Sequence, residues 1–436
     1  MALIGTRENL DRGLKKAVDW KLVACYLILV LIGWANIYAS IHSTEPSSII
    51  DWSCRSGKQF IWMLTAFALD ILILFVINPK LWEVIAEPAY FIVVGLLVAV
   101  IFLGVEVKGS RSWFAFGPVR FQPAEISKIT TSLLLALVMS KPTFKLSKIG
   151  GFLSVSIIIG LPMLVILGES ETGSALVYVG FLFMLYREGL SGWYLVILGM
   201  AILLFILTLT THWWISAIVL FAVCAYYLLK VLRETRRESL MIRRRALQRS
   251  ILAFGLGMAM IFGTDFVFDN VLQPHQRARI EVLLGMKEDP SGVGYNVRQS
   301  MIAIGSGGFF GKGYLNGTQT TYGFVPEQST DFIFCTVGEE WGFFGCLAVI
   351  AIYVLMIFWI IQDAENSRET FTRIYGYCLS CCLFMHLFIN IGMTIGLMPV
   401  IGIPLPLLSY GGSSLWAFSV MIFIFIALDR QEKRYF

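Results

Sequence analysis

Runs of apolar residues long enough to cross a lipid bilayer recur along the whole chain, separated by short polar breaks. Twelve of them lie near 20–41, 58–77, 83–104, 125–141, 151–168, 173–188, 193–211, 213–232, 250–270, 335–361, 372–396 and 406–429. About 20 apolar residues in a helix match the hydrocarbon core of a bilayer. In hydrocarbon every backbone polar group must be satisfied within the protein, so a spanning segment is either a helix or a strand of a closed barrel. Barrel strands alternate apolar and polar positions, and these runs do not. The pattern predicts an all-α, polytopic integral membrane protein with about 12 transmembrane helices, forming one membrane domain over residues 1–436. The run at 173–188 is short, and the two flanking His212 are joined by a very tight turn.

Composition fits that class. Of 436 residues, 57% are hydrophobic and 14% charged, against about 25% charged in soluble domains. The first apolar run follows a polar stretch and is too long for the core of a cleaved signal, so it reads as a retained span. The net charge of +5 does not call for nucleic acid, because basic residues gather in cytoplasmic loops. With both termini cytoplasmic, the basic residues Arg7, Arg12, Lys15, Lys16, Arg430, Lys433 and Arg434 all fall inside. So do the segment 141–148 and the segment 230–249, which holds eight basic residues including Arg243, Arg244 and Arg245. An odd number of spans would break this arrangement. Most of the eight cysteines sit inside apolar runs, Cys54 being the main exception. The pair Cys378 and Cys381 has no second pair beside it, so neither a zinc site nor a disulfide framework follows.

Three segments then face outwards: 104–123, a large extracytoplasmic loop at 271–334, and the Gly- and Pro-rich stretch 397–414, which reads as partly re-entrant. Loops as long as the second are usually functional. It carries the run Gly305-Ser306-Gly307-Gly308-Phe309-Phe310-Gly311-Lys312-Gly313. Glycine turns of this kind either cradle phosphate or close tightly over a membrane domain. Asp331 stands where the chain re-enters the membrane. There it is either the N-cap of the next helix or a functional carboxylate: a general base or a metal ligand. Pro123 suits a first helical turn, which puts Glu125 and Lys128 one turn apart on one face. They form a structural ion pair or line a cavity where Lys128 meets phosphate. Arg111, Arg277 and Arg279 suit bidentate phosphate contact, and Lys312 and Glu327 are further substrate-binding candidates. Asp70, Glu83, Glu87, Glu339 and Glu340 read as helix-end or packing charges, and His386 as a bonded core histidine.

At these residues the chain resembles the SEDS family (shape, elongation, division and sporulation), and within it the RodA-like branch rather than the division branch. The elements that carry the resemblance are Arg111-Ser112-Trp113, Gln122-Pro123-Ala124-Glu125-Ile126-Ser127-Lys128, Gly294-Tyr295-Asn296-Val297-Arg298-Gln299-Ser300 and the glycine run. They continue with Asn316-Gly317-Thr318-Gln319, Pro326-Glu327-Gln328-Ser329-Thr330-Asp331-Phe332, Asn390-Ile391-Gly392-Met393, Gly402-Ile403-Pro404-Leu405-Pro406 and Ser409-Tyr410-Gly411-Gly412-Ser413. The resemblance covers most of the chain. It implies a peptidoglycan glycosyltransferase that polymerises lipid II on the outer face of the cytoplasmic (inner) membrane, for elongation and rod shape. It implies partnership with a class B penicillin-binding transpeptidase and other membrane proteins of the elongation complex. Asp331 matches the family's essential aspartate, and Glu125 and Lys128 match positions lining its central cavity. No cofactor is required by the sequence; a divalent cation at Asp331 is compatible with it.

Two departures stand out. The family commonly has ten spans, so 193–250 reads as an inserted helix pair with a basic cytoplasmic loop. The family's Gln-Pro-Asp-Leu-Gly is here Glu169-Ser170-Glu171-Thr172-Gly173. Two other functions fit the same residues: a lipid II flippase, or a non-catalytic scaffold of the wall-synthesis complex.

Overall fold

The computed structural model describes residues 18–42, 48–107, 110–117, 119–234, 240–270, 272–287 and 292–435. Arg7, Arg12, Lys15 and Lys16 of the basic N-terminal stretch, and Arg236 and Arg237 of the basic segment, lie outside them. The helices are α1 (Trp20–Ile41), α2 (Arg55–Phe75), α3 (Lys80–Leu103), α4 (Pro123–Ser140), α5 (Ile149–Gly168), α6 (Thr172–Val179), α7 (Phe181–Arg187), α8 (Trp193–Thr210), α9 (Trp213–Glu234), α10 (Leu240–Asn270), α11 (Pro274–Leu283), α12 (Val293–Ser306), α13 (Thr318–Thr321), α14 (Ile333–Asn366), α15 (Thr370–Thr394) and α16 (Gly412–Tyr435).

Each of the twelve apolar runs contains helix, and among the described residues ten helices are long and apolar enough to cross a membrane. Two candidate spans are not among the ten. The charged first turn of α4, with Glu125 and Lys128, lowers its mean hydropathy, and the run at 172–187 is short. The protein is therefore an all-α, multi-pass membrane protein. Its described residues form two compact units, one from residues up to 189 together with 295 onward, the other from 190 to 294.

In the first unit α15 is the central element. It packs against α4, α7, α14 and α16, and nearly all of its residues are buried. Helix α4 starts at Pro123 because proline's fixed φ suits the first turn and its missing N–H is not needed there. The segment before it was expected as a plain outer loop. Instead it forms a three-stranded antiparallel sheet of β1 (Val105–Val107), β2 (Ser110–Phe116) and β3 (Val119–Phe121). Phe114 pairs with Phe121 and Ala115 with Arg120 across the β2–β3 hairpin.

The glycine run has a packing role. Helix α14 is broken at Gly342 (φ 68°, ψ −163°). The break frees the carbonyls of Glu339 and Glu340 and the N–H groups of Phe343 and Phe344, which the glycine run takes up. Lys312 N donates to Glu339 O (3.0 Å), Gly313 N to Glu340 O (3.0 Å), and Phe343 N to Gly308 O (2.9 Å). The two backbones lie so close that a Cβ at Gly311 would stand 2.1 Å from Glu340 O, and one at Gly342 2.2 Å from Gly311 N. Both glycines also have positive φ, which side chains other than glycine's adopt at a cost.

The stretch between α15 and α16 has no regular structure and is buried at Ile403, Leu405, Leu407 and Leu408. It runs against α1 at Gly33, where a Cβ would come within 2.6 Å of Leu408 Cα. The Tyr353 hydroxyl of α14 donates to Pro406 O. Irregular backbone in a membrane protein is tolerated where protein satisfies it, and here it does.

The second unit contains α8, α9, α10 and α11. Leu204, Leu220 and Ile261 form its buried seam, with Phe254 and Met258 packed against them. The segment 271–334, expected as one large loop, holds α11, α12 and α13.

Candidate functional site

Asp331 does not cap α14. The N-cap residue is Phe332, with no side-chain capping bond. Asp331 lies one residue earlier, half-buried, at the end of a turn over residues 326–332. That turn is held by hydrogen bonds from three other segments. Asn390 Nδ2, on α15, donates to Asp331 O (2.8 Å) and to Ile403 O (2.7 Å). Ser409 Oγ donates to Thr330 O (2.6 Å) and accepts from Leu405 N (2.8 Å). Tyr410 N donates to Ser329 O (2.8 Å), and Arg55 Nη1 of α2 donates to Ser329 Oγ (2.8 Å). A Cβ at Gly402 would stand 3.4 Å from Asp331 Oδ2, so the glycine leaves that side of the carboxylate open. Three separate segments thus hold the turn that carries this one carboxylate.

Asn390 joins two of those elements, and each of its bonds is worth about 1 kcal/mol. Asn390→Leu is expected to leave the helices intact and cut activity tenfold or more, because an ångström of misplacement at a catalytic group is costly. Circular dichroism together with a product assay checks this; unchanged turnover would show that the clamp does not matter.

Beneath α4's entrance lies a buried polar chain. Lys128 Nζ donates to Glu125 Oε1 (2.8 Å) and to His386 Nε2 (2.9 Å). His386 Nδ1 faces Pro404 O at 3.0 Å. A carbonyl only accepts, so Nδ1 carries the proton and Nε2 accepts from the ammonium. Lys128, Glu125 and His386 are 1%, 3% and 1% exposed. Lys128 also stands over the Phe418 ring at 5.1 Å. The chain is linked to the Asp331 clamp: Pro404 follows Ile403, and His386 and Asn390 lie four residues apart on one face of α15.

The remaining candidates fall elsewhere. Arg111 on β2 is exposed and loosely paired with Glu106 at 3.5 Å. Lys312 donates to Glu339 Oε1 (2.7 Å) and Thr318 Oγ1 (2.8 Å). Glu327 is exposed and accepts from Thr330 Oγ1 (3.0 Å). Arg277 pairs with Glu281 (2.9 Å) on α11 and covers Phe268. Arg279 is half-buried on the same helix, and both arginines belong to the second unit. No group of three or more His, Cys, Asp or Glu side chains among the described residues is arranged to hold a metal ion.

Two residues read as structural, a bonded core histidine and a helix-end charge, belong to this architecture. His386 is one, and its spacing from Asn390 was the available signal. Glu339 is the other. Its buried carboxylate accepts from the backbone N–H groups of Thr318, Gln319 and Thr320 (2.8–2.9 Å) and so organises α13. Asp70 is likewise buried, accepting from Tyr26 Oη (2.8 Å).

The departure at 169–173 also has a structural role. Glu171 Oε1 accepts from Ser112 Oγ (2.7 Å) and Ser110 Oγ (3.0 Å), tying β2 to the start of α6. Glu169, just past α5, is 2% exposed, and among the described residues neither of its carboxylate oxygens has a hydrogen-bond partner. Burial, and then the neighbouring Glu171 charge, push it up to about 8. A carboxyl whose folded pKa lies above its unfolded value binds more protons in the folded state, so it lowers stability as pH rises between the two. Glu169→Gln is therefore expected to be neutral at about pH 4 and below and stabilising at pH 8 and above. Thermal unfolding across that range checks it; a constant difference would exclude a buried, titrating Glu169.

The comparisons with known proteins agree with this architecture. The family model FTSW_RODA_SPOVE, described as "Cell cycle protein", matches residues 19–241 and 240–434. The chain is 33% identical over 380 residues to the peptidoglycan glycosyltransferase MrdB of Escherichia coli K12, covering 85% of each chain. It is 30% identical over 437 residues to the peptidoglycan glycosyltransferase RodA of Treponema pallidum, covering 95% of this chain and 98% of that one. Its fold matches a solved peptidoglycan synthase complex chain with a TM-score of 0.67 at 23% identity, covering 96% of this chain and 98% of that one. It also matches the rod shape determining protein RodA of Thermus thermophilus with a TM-score of 0.59 at 20% identity, covering 95% and 97%. With the family model spanning nearly the whole described chain and relatives at 30% and 33% identity at this coverage, the chain belongs to the FtsW/RodA/SpoVE family.

Proposed function

We propose that this chain is a peptidoglycan glycosyltransferase that joins lipid II disaccharide units into glycan chains for cell elongation. The observation that carries the proposal is a carboxylate, Asp331, on a turn held by Asn390, Ser409, Tyr410 and Arg55. Relatives named peptidoglycan glycosyltransferases at 30–33% identity support it.

The reaction forms one bond and breaks one. The GlcNAc 4-hydroxyl of one lipid II attacks the MurNAc anomeric carbon of another from the face opposite the leaving group. The bond from that carbon to undecaprenyl diphosphate breaks with inversion, and the hydroxyl proton passes to Asp331. A positioned base contributes about 10²–10⁴-fold. A divalent cation bound to Asp331 would draw its other ligands from the diphosphate, and such an ion would share the stabilisation of the leaving group. Arg111, exposed and only loosely paired, is free to turn to the diphosphate. Lys128, bonded to Glu125 and His386, acts by setting the position of Pro404 and the clamp beside it. Arg277, Arg279, Lys312 and Glu327 remain candidates for contacts with the substrate.

The site faces the outside of the cytoplasmic membrane, with both termini cytoplasmic; the distribution of basic residues supports this orientation. The partner is a class B penicillin-binding transpeptidase, in keeping with the fold match to a peptidoglycan synthase complex. The buried Glu125–Lys128–His386 chain would also suit a lipid flippase. Incubating the purified chain and its partner with lipid II in detergent separates the two. Long glycan chains on a gel are expected; lipid II left unpolymerised by an active preparation would overturn the proposal.

A further inference from the structure

The basic segment between α9 and α10 is more than a topology signal. Helix α10 has 31 residues, which is about 46 Å at 1.5 Å per residue. That is longer than the roughly 30 Å hydrocarbon core. Its packed face carries the buried residues Ser250, Ile261, Thr264 and Phe268, with Phe254 and Met258. A different face stays open. Leu252 and Leu256 are 63% and 64% exposed, and Arg245 and Arg249 are exposed as well. Arg245, Arg249, Leu252 and Leu256 follow a spacing of four, three and four residues, so they form one stripe along the helix. Arg244 and Ile251, seven residues apart and also exposed, flank it.

Read along the helix, this stripe is two guanidinium groups followed by a leucine track. Among the described residues neither arginine has an acidic partner. Arg245 makes one contact, from Nη2 to Met241 Sδ at 3.4 Å, and that leaves most of its donors unused. Orienting a membrane protein needs only positive charge on one side. It does not need the charge in register with a lipid-facing apolar stripe, nor arginine rather than lysine. Arginine's planar fork matches two oxygens of a phosphodiester.

We propose that this face of α10 binds one anionic phospholipid, its phosphodiester on Arg245 and Arg249 and an acyl chain along Leu252 and Leu256. Lys230 and Arg233, exposed at the end of α9, add positive charge at the end of the neighbouring helix in this unit.

The test is native mass spectrometry on the purified full chain, titrated with dioleoylphosphatidylglycerol or dioleoylphosphatidylcholine. Wild type is expected to retain the anionic lipid preferentially. Arg245→Gln with Arg249→Gln should weaken that retention by about fivefold per arginine, with the melting temperature unchanged. Leu252→Ala with Leu256→Ala keeps every charge; it should weaken lipid retention several-fold while leaving binding of inorganic phosphate as it was. Equal retention of the two lipids would overturn the proposal. So would wild-type retention by the arginine double variant. Displacement of the lipid by millimolar inorganic phosphate would show a bare anion site instead and overturn it as well.

Discussion

Replacing Asp331 by Asn is expected to lower glycan-chain formation by about 10²–10⁴-fold while leaving the fold and lipid II binding in place. The substitution keeps size and polarity but removes the proton acceptor. The clamp from Asn390, Ser409 and Tyr410 grips backbone carbonyls, which the substitution leaves in place. Nor is a helix cap lost, since Phe332 occupies that position without a side-chain capping bond. Stability should therefore change little. A gel assay for polymer, with thermal unfolding alongside, reads both effects. Loss of the fold together with activity would make Asp331 a structural residue, and polymerisation at the wild-type rate would remove it from the site.

Lys128→Met should have the largest effect on stability. It leaves the Glu125 carboxylate, 3% exposed among apolar neighbours, without its cation, and deprives His386 Nε2 of its donor. Removing one partner of a buried ion pair typically costs about 3–5 kcal/mol, whereas replacing the whole pair by apolar or neutral groups is often nearly neutral. Lys128→Met with Glu125→Gln should thus recover most of what the single variant loses. Unfolding in detergent by a double-mutant cycle measures the coupling; additive losses would mean that the two charges do not depend on each other. Activity should fall in the single variant even where it folds, because His386 holds Pro404, next to Ile403, whose carbonyl accepts from the same Asn390 Nδ2 that holds the Asp331 carbonyl.

The helical architecture was legible because a bilayer demands it: each apolar run had to form helix, and among the described residues ten of the resulting helices are long and apolar enough to span. Asp331 was legible as a charge at the mouth of a span. What holds it was not. Asn390, Ser409 and Tyr410 act on backbone carbonyls, and a carbonyl's partner leaves no trace in residue type. The break at Gly342 was hidden for a similar reason. It lies within a run rich in apolar residues, and only the docking of Gly311 against it shows why the helix opens there. The small sheet before α4 did leave a trace, in the aromatic residues on either side of Gly117 in a hairpin turn. The polar character of the segment had suggested only a loop. His386 was set aside because a lone histidine on an apolar helix is usually a satisfied core residue. It is satisfied here too, but by Lys128, which makes it part of the polar chain that reaches the site.

Asp331 as the general base is tested most directly by the pH dependence of kcat/KM for lipid II polymerisation, in the wild-type chain with its partner and in Asp331→Asn. If Asp331 takes the proton, the wild-type rate rises with pH through one ionisation, and the residual rate of the variant is flat over the same range. An acid limb that survives unchanged in Asp331→Asn would contradict that role.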